Sequence, residues 1–186
     1  MFSAFLDILS DLSPLSDKSR NALLKHLSSK RIPKDSFILK HGEVCKHIYF
    51  IHKGFARTFY YKNGKEITEW FADEKGFSFS ITSYFQEQPS KLVIECLEDS
   101  EVIYLPKKEM YELSYNHIDI AQLIIKMFSY SLMISQERMD SIQFETAKQR
   151  YDKLLKNQPE ILQKVPLQYI ASYLGITSET LSRIRN

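Results

Sequence analysis

A series of short β-type runs divided by turn residues fills the middle of this chain, between residues 31 and 105. The runs lie at residues 36–40, 47–52, 56–61, 65–71, 91–97 and 101–105. The strongest turn signal is Asn63-Gly64, because both residues tolerate the positive φ of a two-residue hairpin. Many short strands at this spacing predict a small β-barrel or β-roll. Residues 2–30, which precede it, have the apolar periodicity of helices.

A stretch without Gly or Pro follows at residues 119–146 and predicts one long helix. It carries two apolar stripes, one of Ile120, Leu123, Ile124, Met127, Tyr130 and Ile134, the other of Ile125, Phe128, Leu132 and Met133. Because a helix with two apolar faces needs two partners, we expect the roll to cover one face and the same helix of a second subunit to cover the other. The residues predicted for this dimer contact are Leu123, Ile124, Met127, Tyr130 and Ile134. The alternative is a helix enclosed within a single chain.

The last twenty residues have the pattern of two short helices around one tight turn. Apolar residues that can share one small core recur at Ile170, Leu174, Ile176, Leu181 and Ile184. Ala171 lets two helices cross closely, Gly175 can take the positive φ of a sharp turn, and Thr177 or Ser178 can cap the second helix. Two crossed helices of this size commonly place one helix in the DNA major groove. The alternative is an ordinary helical hairpin at the end of a domain.

Charge and composition favour a cytoplasmic protein with a mildly basic C-terminal end. The net charge is +2, but residues 145–186 hold seven Lys/Arg against four Asp/Glu, while residues 1–144 hold 18 against 19. This imbalance fits a DNA-contacting end. No apolar run approaches the roughly 20 residues that span a bilayer, and the N-terminus lacks the basic region of a signal peptide. Cys45 and Cys96 are predicted to be buried free thiols.

Five segments, in the right order and spacing, resemble the Crp/Fnr family of bacterial transcription regulators. They are residues 37–43, 48–57, 64–66, 94–102 and 170–183. The resemblance implies an α+β fold with N-terminal helices and a double-stranded β-helix, a cupin-like jelly roll, over residues 1–118. A long dimerisation helix over 119–146 and a helix-turn-helix over 147–186 would follow. The implied partners are double-stranded DNA, a second copy of the chain, RNA polymerase and a small-molecule effector.

The family resemblance also indicates where an effector would bind. Members that bind cyclic nucleotides use a glutamate after a glycine and an arginine that pairs with the phosphate. Here Phe77 and Ser78 follow Gly76, and Pro89-Ser90 replaces the arginine-serine pair, so cyclic AMP is not expected. The candidate pocket residues are Phe77, Ser78, Phe79, Ser80, Ser90 and Lys91, although strand alternation can point Lys91 outward. Either a partly apolar small molecule binds here, or the aromatic side chains fill the space.

By resemblance, a recognition helix begins at about Thr177 and runs to the end of the chain. Ser178, Glu179 and Arg183 then reach base edges, where Glu179 can accept from cytosine N4 and Arg183 can bind guanine O6/N7. The candidates for phosphate contacts are Gln168, Thr177, Thr180, Ser182 and Arg185. Family members usually continue into a β-hairpin wing beyond the position of Asn186, so we expect either a DNA-binding region without a wing or a shortened chain.

Two other function classes fit parts of the pattern. A cupin-type metalloenzyme would need histidines on one strand face, but His47 and His52 are an odd number apart and so face opposite sides of a regular strand. We therefore predict no catalytic or metal site, and interpret Glu66 and Glu69 as solvated strand charges. The remaining alternative is a β-roll binding or interaction module whose terminal helices do not touch DNA.

Overall fold

The structure, a computed structural model, describes residues 1–185, which form nine helices and eight strands. The helices are α1 (Phe2–Leu12), α2 (Asp17–Leu24), α3 (Ile81–Gln86), α4 (Lys107–Ser114), α5 (Ile118–Phe144), α6 (Ala147–Asn157), α7 (Ile161–Lys164), α8 (Leu167–Tyr173) and α9 (Ser178–Arg185). The strands are β1 (Ser28–Ile32), β2 (Phe37–Leu39), β3 (His47–Lys53), β4 (Ala56–Lys62), β5 (Lys65–Ala72), β6 (Phe77–Ser78), β7 (Leu92–Cys96) and β8 (Ser100–Pro106). Every predicted strand is present to within one residue at each end.

The strands form two four-stranded antiparallel sheets, in the orders β1-β8-β3-β6 and β2-β7-β4-β5. One buried cluster takes side chains from both sheets, including Phe50 and Ile94, and helix α1 closes it with Phe5. Neighbouring strands are rarely consecutive in sequence, which is the topology of a jelly roll and confirms the predicted α+β fold. Cys45 and Cys96 are free and buried in this core, as predicted.

Local turn chemistry was predicted more accurately than the N-terminal segment. Asn63 and Gly64 have φ of 52° and 73° and join Lys62 to its partner Lys65, which confirms the hairpin. The helical prediction for residues 2–30 is wrong at its end, because β1 pairs there with β8. Four of the five β1 residues are exposed, so this edge strand offers no apolar alternation to recognise.

Helix α5 confirms the long helix but corrects part of its predicted dimer contact. Ile120, Leu123 and Met127 are buried against the roll of their own chain. Leu123 and Met127 therefore do not face a partner helix, because side chains already covered by the roll have no free surface for one. Three residues of the second predicted stripe, Ile125, Leu132 and Met133, are exposed, with Leu132 at 70% relative exposure, whereas Phe128 packs against the roll.

By length and composition, α5 is apolar enough to cross a membrane, contrary to the expectation that no segment approaches that length. Helices of folded soluble proteins pass the same criterion. Since α5 buries Ile120 and Leu123 in the roll core, we interpret it as part of the folded protein.

The C-terminal helices form a second core that is packed on the roll. A capping box between Thr146 and Gln149 starts α6 after the chain has left α5. The buried residues of this core are Tyr151, Leu154, Ile161, Val165, Ile170, Ala171, Leu174 and Leu181. Three roll residues, Phe55, Phe71 and Leu97, belong to the same cluster. The α6–α9 unit is thus docked on the β4–β5 side of the roll.

Candidate functional site

Helices α8 and α9 form a compact helix-turn-helix. Gly175 takes φ of 67°, and the Ile176 backbone N–H donates to the Ala171 carbonyl at 3.0 Å, which closes the end of α8. The Thr177 hydroxyl accepts from the Thr180 backbone N–H at 3.2 Å and caps α9. Leu181 of α9 is buried against Ile170 and Leu174, as the apolar spacing predicted. The tight turn therefore holds α9 at a fixed angle on α8.

The face of α9 that points away from this core is polar and exposed. Ser178, Glu179 and Arg183, the predicted base-reading residues, share it with the predicted phosphate ligands Ser182 and Arg185. Thr177 and Gln168 are also exposed, at the starts of α9 and α8. Thr180 is partly buried, and its hydroxyl accepts from Arg183 Nη2 at 3.2 Å. Asn186, the predicted end of this helix, lies outside the described residues.

Glu179 is held in its charged form. Its own backbone N–H and the Thr177 hydroxyl lower the pKa of the Glu179 carboxyl, with smaller contributions from Arg183 and Lys65. A charged carboxylate at the first turn of a helix is favoured by the helix dipole. Glu179 is therefore available as a hydrogen-bond acceptor beside the guanidinium of Arg183.

A buried arginine joins the roll to this helix-turn-helix. Arg57 of β4 has no solvent exposure and forms ion pairs with Glu66, at 2.5 Å, and with Glu95, at 2.7 Å. Its guanidinium carbon lies 4.0 Å from the ring centroid of Phe59 and 3.4 Å from that of Tyr169 in α8. Burial raises the pKa of Glu95, and Arg57 opposes that rise. Glu66 is thus an ion-pair partner of the buried arginine, so its interpretation as a solvated strand charge is wrong.

Further polar contacts hold the C-terminal end of α8. The Ser172 hydroxyl accepts from the Thr68 backbone N–H at 2.8 Å and donates to the Glu66 carbonyl at 3.3 Å. At the C-terminal end of α8, Arg138 of α5 donates to the Tyr173 carbonyl at 3.0 Å, and Arg150 donates to the Leu174 carbonyl at 3.0 Å. Two arginines placed on orphan carbonyls at a helix end stabilise it. The long helix and the roll therefore both hold the helix-turn-helix.

The six predicted effector residues do not form one pocket. Ser80 and Ser90 are buried, and the Ser90 hydroxyl donates to that of Ser80 at 2.9 Å. Lys91 is exposed. Phe77, Ser78 and Phe79 instead line a cleft of about 570 Å³ between the roll, α1 and α5. Of the predicted set, these three residues line the cleft and the other three do not.

Glu69 also lines the cleft, and sequence reasoning missed its position. Trp70 is paired with Thr58 and Thr68 with Phe59, so a bulge in β5 leaves Glu69 without a cross-strand partner. Burial raises the pKa of the Glu69 carboxyl, and Arg138 opposes the rise only in part. The interpretation of Glu69 as a solvated charge is wrong, because the bulge turns it inward. Across residues 1–185, no group of three or more His, Cys, Asp or Glu is arranged to hold a metal ion.

Comparisons with known proteins agree with this architecture. Residues 29–117 match the cyclic nucleotide-binding domain family. No curated protein sequence matches the chain.

The fold has several relatives among solved structures. FixK2 from Bradyrhizobium japonicum is 19% identical with a TM-score of 0.72, over 86% of this chain and 82% of FixK2. A protein from Eubacterium rectale assigned to the Crp/Fnr family of transcriptional regulators is 17% identical with a TM-score of 0.70, over 91% and 82% of the two chains. The catabolite activator protein of Thermus thermophilus is 20% identical with a TM-score of 0.57, over 92% and 82%. The chain therefore has the fold of these proteins, one of which is assigned to the Crp/Fnr family, and its residues 29–117 match the cyclic nucleotide-binding domain family.

Proposed function

We propose that this protein is a cytoplasmic, homodimeric transcription regulator that binds double-stranded DNA through α9. The observation that carries the proposal is the exposed polar face of α9, which is held by a buried core and a capped turn. A helix presented in this way can enter the major groove, whereas its apolar face remains packed on α8. Arg183 and Arg185 place positive charge on the presented face.

The chemistry of this face suits base reading. Arg183 can donate two hydrogen bonds to guanine O6 and N7, and Glu179 can accept from the amino group of cytosine. Ser178 is short, so it contacts a base only where the helix approaches closely. Gln168, Thr177, Ser182 and Arg185 surround these three residues and are placed for phosphate contacts, which set orientation rather than sequence.

A second copy of the chain is the partner we propose for the exposed side of α5. Ile118, Ile125, Leu132 and Met139 follow one another at intervals of seven residues and are 75%, 66%, 70% and 49% exposed. An exposed apolar residue at every seventh position is the pattern of one core position in a left-handed coiled coil. Pairing along this row of residues, the exposed seam of α5, would give two α9 helices for two half-sites, as helix-turn-helix dimers require. Tyr130, which was predicted at the contact, is exposed on another side of the helix.

The cyclic nucleotide-binding domain supports gating by a small effector, but its residues do not suit cyclic AMP. Phe77 and Ser78 stand where a ribose-binding glutamate would follow Gly76, and no arginine stands at Pro89-Ser90. A buried phosphate needs a paired cation or a cluster of N–H donors. We therefore propose an effector other than cyclic AMP.

The test is a gel shift with the DNA upstream of the protein's own gene at several stated salt concentrations. We expect a specific complex that resists competitor DNA and weakens as salt rises, because phosphate contacts release counterions. The docking of α8 on the roll favours the alternative, an interaction module that never touches DNA. Failure to shift any fragment at low salt, with α5 dimers intact, would establish that alternative and refute DNA binding.

A further inference from the structure

The cleft between the roll and α5 has the size and lining of a small-molecule site. Its volume of about 570 Å³ lies within the usual range of ligand pockets, about 300–1,000 Å³. Its walls are mainly apolar, with Trp70 and Phe77 from the roll, Leu12 from α1, and Phe128 and Ile134 from α5. A mostly apolar cavity with a small number of polar groups is the usual form of a binding site.

One of the polar groups that line the cleft is the carboxyl group of Glu69. The bulge in β5 places it there, and no side chain within residues 1–185 forms a hydrogen bond or ion pair with it. Burial raises the pKa of this carboxyl, because the charged form loses hydration and no hydrogen-bonded cation replaces it. A cation of the ligand would supply that partner.

The other charges around the cleft also favour a cation. Asp73 and Glu74 join Glu69 among the lining residues, against Lys75 and Arg138. The guanidinium of Arg138 keeps its charge but only partly opposes the raised pKa of Glu69, and it also donates to the Tyr173 carbonyl and lies 4.0 Å from the centroid of the Tyr173 ring. The lining therefore holds three carboxylates against two cations. An anionic ligand would meet the unpaired carboxylate of Glu69, whereas a cationic one would neutralise it.

The cleft lies on a different side of α5 from the exposed seam. Successive residues of a helix are rotated by about 100°, so Met127 and Ile134, which line the cleft, point roughly 140–160° away from Leu132. A ligand in the cleft therefore does not compete with a second α5 helix.

We propose that this cleft binds an organic cation that carries an amine on an apolar, ring-sized body, with Glu69 as its counter-ion. The inference deepens the proposed function, because it rests on an effector that regulates DNA binding and names the effector's chemical class. Arg138 connects the cleft to α8 directly. A ligand against Arg138 thus bears on the residue that holds the end of the helix-turn-helix.

Three naphthalene probes of nearly equal size test the proposal: naphthylethylamine, naphthylethanol and naphthylacetate. Calorimetric titration of the intact protein should show 1:1 binding of the amine, at least about tenfold tighter than the alcohol, and the weakest binding for the acetate. Glu69→Gln should reduce the preference for amine over alcohol to less than about twofold while the alcohol still binds. Ser131→Phe, which fills the cleft from α5, should weaken the amine and the alcohol alike.

Glu112→Gln is the matched control, since Glu112 lies on the surface of α4 outside the cleft, and it should leave all three affinities unchanged. Equal affinity for the three probes, an unchanged preference in Glu69→Gln, or no binding of the amine would overturn the proposal. These titrations contain no DNA, so they are independent of the gel shift. If the protein binds the amine but forms no DNA complex, the proposed DNA binding is refuted and the proposed amine site stands. If it forms a DNA complex but does not bind the amine, the amine site is refuted and DNA binding stands.

Discussion

The guanidinium carbon of Arg57 lies 3.4 Å from the ring centroid of Tyr169, although 111 residues separate the two in sequence. Arg57 belongs to the roll and Tyr169 to the first helix of the helix-turn-helix. The tyrosine ring covers a buried cation that Glu66 and Glu95 neutralise from the other directions. A charge of the roll is thus enclosed partly by the helix-turn-helix, which couples the fold of the roll to the docking of the C-terminal helices.

The first prediction concerns the stability contributed by Arg57. Arg57→Ala should lower the free energy of unfolding by about 3–5 kcal/mol, because it leaves two partly buried carboxylates without their cation. Urea unfolding followed by circular dichroism measures this loss. Arg31→Ala, which removes an exposed arginine paired with Glu101, is the control and should cost no more than about 0.5 kcal/mol. Similar losses in both variants would contradict the role of Arg57.

The second prediction concerns docking of the helix-turn-helix. Tyr169→Ala removes the ring over Arg57 and should weaken docking by about 1–2 kcal/mol, whereas Tyr169→Phe keeps the ring and should change little. The expected consequence is faster tryptic cleavage after Lys164, the last residue of α7, which is followed by the short connection to α8. If both variants are cleaved as slowly as the unmodified protein, the stacking does not hold α8 on the roll.

Local sequence patterns predict most of the helices and strands, but they do not predict the residues that join the roll to the C-terminal helices or line the cleft. The Asn63-Gly64 hairpin and the turn at Gly175 were predictable because positive φ leaves few residue choices. The strands were predictable because the alternation of apolar and polar residues and the turn residues are both patterns within a few consecutive positions. Strand β1 was not, since its exposed side chains carry no alternation.

Arg57 and Glu69 show what local patterns omit. Arg57 appears in sequence as one charged residue in a strand, and its significance comes from Tyr169, which only the docked C-terminal helices bring near. Glu69 has the pattern of a solvated strand charge, and a bulge in its pairing with β4 moves it into the cleft. Both depend on contacts between segments far apart in the chain. The same reason applies to Leu123 and Met127, because only packing shows which side of α5 the roll covers.

The third prediction concerns the α5 seam. Leu132→Glu places a charge in the middle of the exposed apolar repeat and should convert the proposed dimer to monomers, as measured by sedimentation equilibrium. Lys126→Glu, an exposed change about 110° round the helix from the seam, is the control and should leave the dimer intact. A Leu132→Glu protein that remains dimeric would show that another surface makes the contact.

The fourth prediction concerns pH and the start of α5. Although burial raises it, hydrogen bonds from the Ser19 hydroxyl and the Ser16 backbone N–H lower the pKa of Asp119 to about 2. Because the pKa is lower in the folded state, the stabilisation is complete above about pH 4 and is lost as the pH falls towards 2. Asp119→Asn should therefore cost about 1 kcal/mol at pH 7 and progressively less below pH 4. A difference between the two proteins that does not depend on pH over this range would argue against the ionised form.

The last prediction concerns base reading by α9. Arg183→Ala should cost about 1–3 kcal/mol on the specific site and relax the preference at one base pair, because a bidentate contact to guanine is lost. Glu179→Ala should alter the preferred sequence more than it weakens binding. Gel shifts against a panel of single-base variants of the site measure both effects, with Arg31→Ala as a control that removes the same charge from the roll. A loss in Arg183→Ala that is equal on every sequence would mean that Arg183 contacts phosphate instead of a base.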